Sequence, residues 1–263
     1  MIRKNRAIIV NCKNFTGIIF YAFEYYIYLN ENNYNIELIF VNCSSTFHTQ
    51  LFKVFQDKYK PEYFKRLMDK NITFIKNIPI IFSNILLVLD YSTYEIINTK
   101  LLYKKCFYNF TNEFKSTTRT FHEFSKFKNI IDFGDKNIGC KTDNHYPLKL
   151  NFKMFKEISY FDNTVLIENK IKLNKQKPNT KDLNYSRVFK GKFHESFSKA
   201  VITKVNYDRA NRLIPECKFY NKEIYINKSN YPYDSVDDRF LKPYQEFDIN
   251  NQNNFITFLK ENE

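Results

Sequence analysis

Short apolar runs alternate with amphipathic stretches along the first hundred residues. Ala7–Val10 is small and β-branched and reads as a fully buried strand. The polar loop Asn11–Phe15 follows, and Thr16 is placed to cap a helix running from Gly17 to about Asn32. Ile36–Val41 reads as a second buried strand. Strand, loop, helix and strand within about 35 residues favour a parallel sheet with a right-handed crossover. The pattern then predicts helix over Thr46–Lys70, broken at Pro61, and a short strand over Asn71–Lys76. Asn84–Asp90 is the strongest buried strand of the first half. Ser92–Leu102 reads as helix, and Cys106–Phe110 as a return to the sheet.

From Thr111 to about Tyr146 the periodicity weakens and Gly134 and Gly139 appear, which marks the end of a first unit. The predicted organisation is a first lobe over residues 1–120, a crossover over 121–147, a second lobe over 148–235 and a tail over 236–263. In the second lobe Lys149–Glu157 reads as helix, Thr164–Glu168 as strand and Lys170–Asp182 as a mobile surface loop. Arg187–Lys199 fits more than one state. Ala200–Val205, Arg209–Tyr220 and Glu223–Asn227 form a clear strand–helix–strand unit, and a last short helix falls near Phe255–Lys260. The expected fold class is therefore α/β, with two Rossmann-like lobes and a cleft between them. Ligands of such sheets sit beyond the carboxyl ends of the strands. That directs attention to Asn11–Gly17, Asp90–Thr93, Phe189–Glu195 and Asn206–Glu216.

Composition narrows the chemistry. The 263 residues carry 41 Lys+Arg against 28 Asp+Glu, a formal net charge of +13 that favours polyanions such as nucleic acid or an anionic membrane face. An AT-rich genome, which also explains the abundance of Asn, Ile, Tyr and Phe, inflates Lys by itself, so both readings of the charge stay open. The five cysteines (Cys12, Cys43, Cys106, Cys140 and Cys217) have neither paired nor zinc spacing, which points to reduced thiols in a cytoplasm. No run approaches the roughly 20 apolar residues of a membrane span, and no signal peptide is expected. Only four glycines occur, which excludes GxGxxG and Walker loops. A bound nucleotide must then be held by helix N-termini and cationic side chains.

The most informative segment runs from Asn206 through Arg209, Asn211 and Arg212 to Pro215-Glu216-Cys217, after a buried strand and into a helix. Arg209, Asn211 and Arg212 at that junction suit a phosphate or sugar clamp, and the Glu216 carboxylate suits two ribose hydroxyls. A solvated helix start, with Glu216 in an ordinary surface pair, fits the same residues. Strand, Arg-rich turn, Pro-Glu-Cys and then Phe-Tyr-Asn-Lys-Glu-Ile resemble the second-lobe donor site of GT-B glycosyltransferases. The resemblance covers about 30 residues in detail, and the family's Gly-rich loop and second upstream Glu have no convincing counterpart. It implies a nucleotide-sugar donor, taken here as a UDP-sugar, with Glu216 on the ribose and no obligatory metal. Arg187, Lys192, Arg209 and Arg212 would surround the diphosphate, with Asn211 beside them.

Asp90 is the candidate base for the acceptor hydroxyl, since it ends the strongest first-lobe strand; a helix-capping role fits it equally. Glu24, mid-helix, reads as a surface residue. His48, His122, His145 and His194 are isolated and read as structural or exposed, although His194-Glu195 stands beside the Arg187/Lys192 cluster. The basic balance makes the chain similar to phage DNA glycosyltransferases, which act on hydroxymethylated pyrimidines. That resemblance implies double-stranded DNA as partner and, for a viral protein, the host cytoplasm. Lys-aromatic stretches such as Phe121–Lys128 and Tyr103–Phe110 suit phosphates and bases, or equally an amphipathic core. Two alternatives remain: transfer to a lipid-linked or cell-surface glycan, and a non-catalytic basic DNA-binding protein. Nothing in the pattern bears on oligomeric state.

Overall fold

The computed structural model describes residues 2–12, 17–77, 80–89, 101–109, 130–131, 151–163, 165–167, 180–182, 193–202, 212–226, 234–235 and 249–263. The protein is α/β, built on two mostly parallel sheets. The first takes β1 (Ile2–Asn11), β2 (Glu37–Val41), β3 (Ile72–Ile75), β4 (Ile81–Val88), β5 (Leu101–Asn109) and β6 (Ile130–Ile131). Its order is β3-β2-β1-β4-β5-β6 with every pair parallel. That is the strand order of dinucleotide-binding sheets, whose crevice opens where the order reverses, here between β1 and β4. Ala7–Val10 and Leu38–Val41 are wholly buried, because a parallel sheet is covered on both faces.

Helix α1 (Gly17–Glu31) joins β1 to β2, and α2 (Phe47–Lys58) followed by α3 (Pro61–Phe64) joins β2 to β3. Pro61 breaks the helical run as its sequence predicts, and it starts α3, where a missing N–H is harmless. Helix α1 is apolar nearly all round, with eleven of its fifteen residues buried. It is therefore a central helix rather than a surface one.

The second sheet takes β7 (Val165–Ile167), β8 (Thr180–Asp182), β9 (Lys199–Ile202), β10 (Glu223–Ile226) and β11 (Asp234–Ser235). Its order is β11-β10-β9-β7-β8, with only β10 and β11 antiparallel. The order reverses between β7 and β9, a second switch point. Helix α4 (Leu213–Phe219) makes the β9–β10 crossover, and Pro215 in its first turn again loses no helical hydrogen bond. The last helix, α5 (Ile249–Glu261), returns to the first half. Its Phe255, Ile256 and Leu259 join the core around Ile8 and Phe23, and Arg6 pairs with Glu263 at 2.6 Å. Among the described residues no helix is long and apolar enough to cross a membrane.

An aromatic seam joins the two halves. Residues 151–161 lie along the end of α2: Lys60 N–H donates to the Met154 carbonyl at 2.8 Å, and Lys156 N–H to that of Lys58 at 3.0 Å. Phe155, fully buried, stands 5.5 Å from the rings of Tyr59 and Phe219 and 5.3 Å from Phe152. Phe152 stacks on Phe219 at 4.8 Å.

Several elements differ from the sequence pattern. The pattern predicts helix over Lys149–Glu157, but within its described part only Phe152–Met154 forms a 3₁₀ turn, and Phe155 bridges to Tyr59 in extended form. Contact with α2 outweighs helical propensity there. The predicted helix over Ser92–Leu102 cannot include its last two residues, because Leu101 and Leu102 already pair with β4. The predicted loop over Lys170–Asp182 ends in a strand, and Ile130–Ile131 adds a sixth strand from the predicted crossover. Among the described residues other than glycine, left-handed backbone falls to asparagine: Asn33 (φ 60°), Asn42 (φ 58°) and Asn221 (φ 53°). Asn33 and Asn221 close α1 and α4, where glycine usually serves.

Replacing Phe155 by Ala should lower stability by about 3–5 kcal/mol through loss of burial and the cavity left behind. Urea unfolding followed by far-UV circular dichroism measures it. A loss near zero would mean that the seam does not hold the halves together.

Candidate functional site

The two halves meet over a set of buried charges. Arg212, at the start of α4, forks onto Glu24 of α1, with Nη2 donating to Oε1 at 2.7 Å and Nη1 to Oε2 at 3.1 Å. Its Nε donates to Glu216 Oε1 at 2.9 Å, one turn along α4. Lys58, the last residue of α2, reaches the same Glu216 oxygen at 2.5 Å. His194, in the 3₁₀ turn Phe193–Ser196, meets Glu216 Oε2 at 2.6 Å. Tyr59 donates its hydroxyl to Glu24 Oε1 at 2.5 Å. A planar guanidinium between two carboxylates, one held bidentately, is the geometry for which arginine is suited and lysine is not.

Rings close the set from the outside. Arg212 lies over Tyr21 at 4.3 Å, and Lys58 over Phe20 at 4.6 Å and Phe155 at 4.9 Å. Gly17 lies against the arginine stem, and a Cβ there would stand in contact with Arg212 Cδ at 3.4 Å. Lys222, beyond α4, is buried as well. It donates to the carbonyls of His194 and Phe197 and stands over the Phe197 ring at 3.8 Å.

Electrostatics follow from burial and pairing. Burial alone would raise the Glu216 carboxyl, but Lys58, Arg212 and the His194 hydrogen bond together hold it well below the usual range. Burial pushes Lys58 down to about 8, with Glu216 opposing and Arg212 adding to the shift. The lysine thus shares its carboxylate with a stronger competitor. Burial works against the Arg212 charge too, yet Glu24 and Glu216 more than offset it and hold the guanidinium protonated. Burial pushes His194 down to about 4 against the pull of Glu216, so the imidazole is neutral at pH 7 and donates Nε2–H to Glu216. Burial also pushes Lys222 down to about 8.

Of the sequence-predicted site residues, the structure brings Arg212 and Glu216 together. Asp90, Arg187, Lys192, Arg209 and Asn211 lie outside the described residues. Glu216 is 4% exposed, so it is neither in a surface pair nor open to a ribose: both of its oxygens are engaged by Lys58, Arg212 and His194. Glu24, read as a surface residue, is equally buried at 4%. The available signal is that Glu24 is the one charge in the otherwise apolar and aromatic stretch Ile18–Leu29. A lone carboxylate in a helix apolar all round is buried and needs a cation. Lys58 and Tyr59 carried no comparable signal, because only tertiary packing sets them against α4. Among the described residues no group of three or more His, Cys, Asp or Glu could hold a metal ion.

Comparison with protein-family models, with curated proteins and with solved structures finds no match.

The Glu216→Gln variant keeps the shape of the side chain and removes its charge. It should destabilise the protein by about 3–5 kcal/mol, because Lys58 is left a buried cation with no carboxylate; urea unfolding at neutral pH reads this. Acid supplies a second test. Unfolded His194 takes up a proton near its ordinary 6.5, and the folded form does so only near 4. The unfolded state therefore binds more protons between those limits, and stability falls as pH drops from 6.5 to 4. The His194 share is about 3 kcal/mol, complete below pH 4. His194→Gln should flatten that part of the stability–pH curve, and an unchanged slope would mean that His194 is not buried neutral.

Proposed function

We propose that the chain is a glycosyltransferase of the two-lobed GT-B kind, moving a sugar from a UDP-sugar to a hydroxyl acceptor, a hydroxymethylated pyrimidine in DNA. The observation that supports this reading is the pair of α/β sheets, each mostly parallel and each with a switch point where a ligand crevice opens. Two such sheets, joined by the aromatic seam and by the Arg212 cluster, leave one side for donor and one for acceptor. The net charge of +13 supports a polyanionic acceptor.

Within this reading we give Glu216 a structural role. Saturated by three internal donors, Glu216 and its partner Arg212 set the position of α4 against α1. The diphosphate is left to Arg187, Lys192 and Arg209, with Asn211 beside them. Asp90, which follows β4 in the sequence, is the proposed base for the acceptor hydroxyl. Stabilising the leaving diphosphate with fixed cations and removing the acceptor proton are the two demands of the reaction.

The test is a thermal-shift panel with UDP, GDP, ADP, CMP, NAD and ATP. At a hundred-fold excess over Kd, UDP should raise the midpoint by roughly 5 °C, since a ligand of the folded state stabilises it by mass action. Asp90→Asn should keep that shift and lose about 10²- to 10⁴-fold in transfer to hydroxymethylated DNA. No shift with any nucleotide, alongside salt-sensitive DNA binding, would overturn the transferase and leave a basic DNA-binding protein.

A further inference from the structure

Two cysteines meet at the carboxyl ends of the central strands. Cys12 follows β1 and Cys43 follows β2, in the parallel register that sets Asn11 beside Val41. Cys12 N–H donates to the Val41 carbonyl at 2.8 Å, and Cys43 N–H to the Ile75 carbonyl at 3.0 Å, so both strand ends are pinned. In an unbroken strand Cys43 would face away from Phe40, because side chains alternate. The left-handed backbone of Asn42 (φ 58°) breaks that alternation. Cys43 consequently joins Ile8, Val10, Cys12, Leu38 and Phe40 on one face, in a single buried cluster. Residues diagonal across neighbouring strands have Cα atoms about 6 Å apart, within disulfide range. Both cysteines are free and buried at 7% and 6% exposure, and Cys12 Sγ donates to the Val10 carbonyl at 3.8 Å on the same face.

We propose that Cys12 and Cys43 form a peroxide-sensitive dithiol that closes reversibly to a disulfide beside the first switch point. Cys43 is the attacking sulfur. The neighbouring Cys12 thiol lowers Cys43 against the effect of burial, whereas burial and the neighbouring Cys43 raise Cys12. The Cys43 thiolate attacks one peroxide oxygen, the O–O bond breaks, and hydroxide leaves and is protonated to water. Cys12 then attacks the Cys43 sulfenic acid, forming the S–S bond and releasing the second water. Hydrogen peroxide takes two electrons from the two thiols, and a dithiol reductant restores them. Closure would tie the ends of β1 and β2 together next to the β1/β4 crevice. The proposal is independent of what that crevice binds.

The experiment treats the folded full-length protein with hydrogen peroxide, blocks residual thiols, and maps disulfides by peptide mass spectrometry without reduction. A Cys12–Cys43 linked peptide that disappears with dithiothreitol is the expected result. In Cys12→Ser, Cys43 should instead accumulate a sulfenic acid that dimedone traps, at least 10-fold more than in the wild type, where Cys12 resolves it. Should that variant fail to fold, native-state alkylation of the wild type decides, with Cys43 expected to react at least 10-fold faster than Cys106 or Cys217. Peroxide oxidation confined to other cysteines, or Cys43 no more reactive than Cys106, would overturn the proposal.

Discussion

A guanidinium buried between two carboxylates is held by a narrow balance. Removing each of these ions from water costs several kcal/mol, and attraction within the cluster offsets that only when every donor has an acceptor in good geometry. Arg212 meets the condition through its bidentate contact with Glu24 and its Nε contact with Glu216. The remaining capacity of Glu216 goes to Lys58 and neutral His194, and that of Glu24 to Tyr59. Two carboxylates face two cations, so the buried set carries little net charge even though each member is charged or strongly polar. Its members come from α1, the end of α2, the turn before β9 and the start of α4. A shift of any one of these leaves a charge without its partner, so the two sheets are held in one relation by electrostatics as well as by the aromatic seam.

The aromatic seam and the ion cluster divide the work. Phe152, Phe155, Phe219 and Tyr220 supply area and attraction without much directional demand. The Arg212 fork supplies direction, because a planar group with fixed donors accepts few arrangements of its partners. Directional contacts between the halves fix how the two sheets stand to each other. In the proposed transferase that relation would set the distance between donor and acceptor, on which the rate of transfer depends steeply.

Scarcity of glycine runs through the whole architecture. Asparagine takes the left-handed positions that close α1 and α4 and turn the chain after β2. The substitution works where the side chain faces open space or finds a local partner, as Asn42 does by donating to Asn11 at 3.0 Å. It would not serve where a backbone must approach a phosphate closely. In the proposed transferase, recognition of the diphosphate and of DNA would therefore fall to side chains, in keeping with 41 Lys and Arg in 263 residues.

The alternation of apolar and polar positions determined the parallel α/β class, the strands around Ala7–Val10, Ile36–Val41 and Glu223–Asn227, the helix from Gly17 and the break at Pro61. Each of these depends on local periodicity or on one residue's backbone chemistry, and the sequence alone contains both. It also singled out Arg212 and Glu216, because a charged pair at a strand–helix junction is conspicuous. Their partners were decided only in three dimensions. Glu24, Lys58 and His194 lie 188, 158 and 22 residues from the groups they meet, and no period in the sequence encodes contacts at those separations. Burial then changed the chemistry of the pair, turning a carboxylate suited to a ligand into one saturated by the protein's own cations.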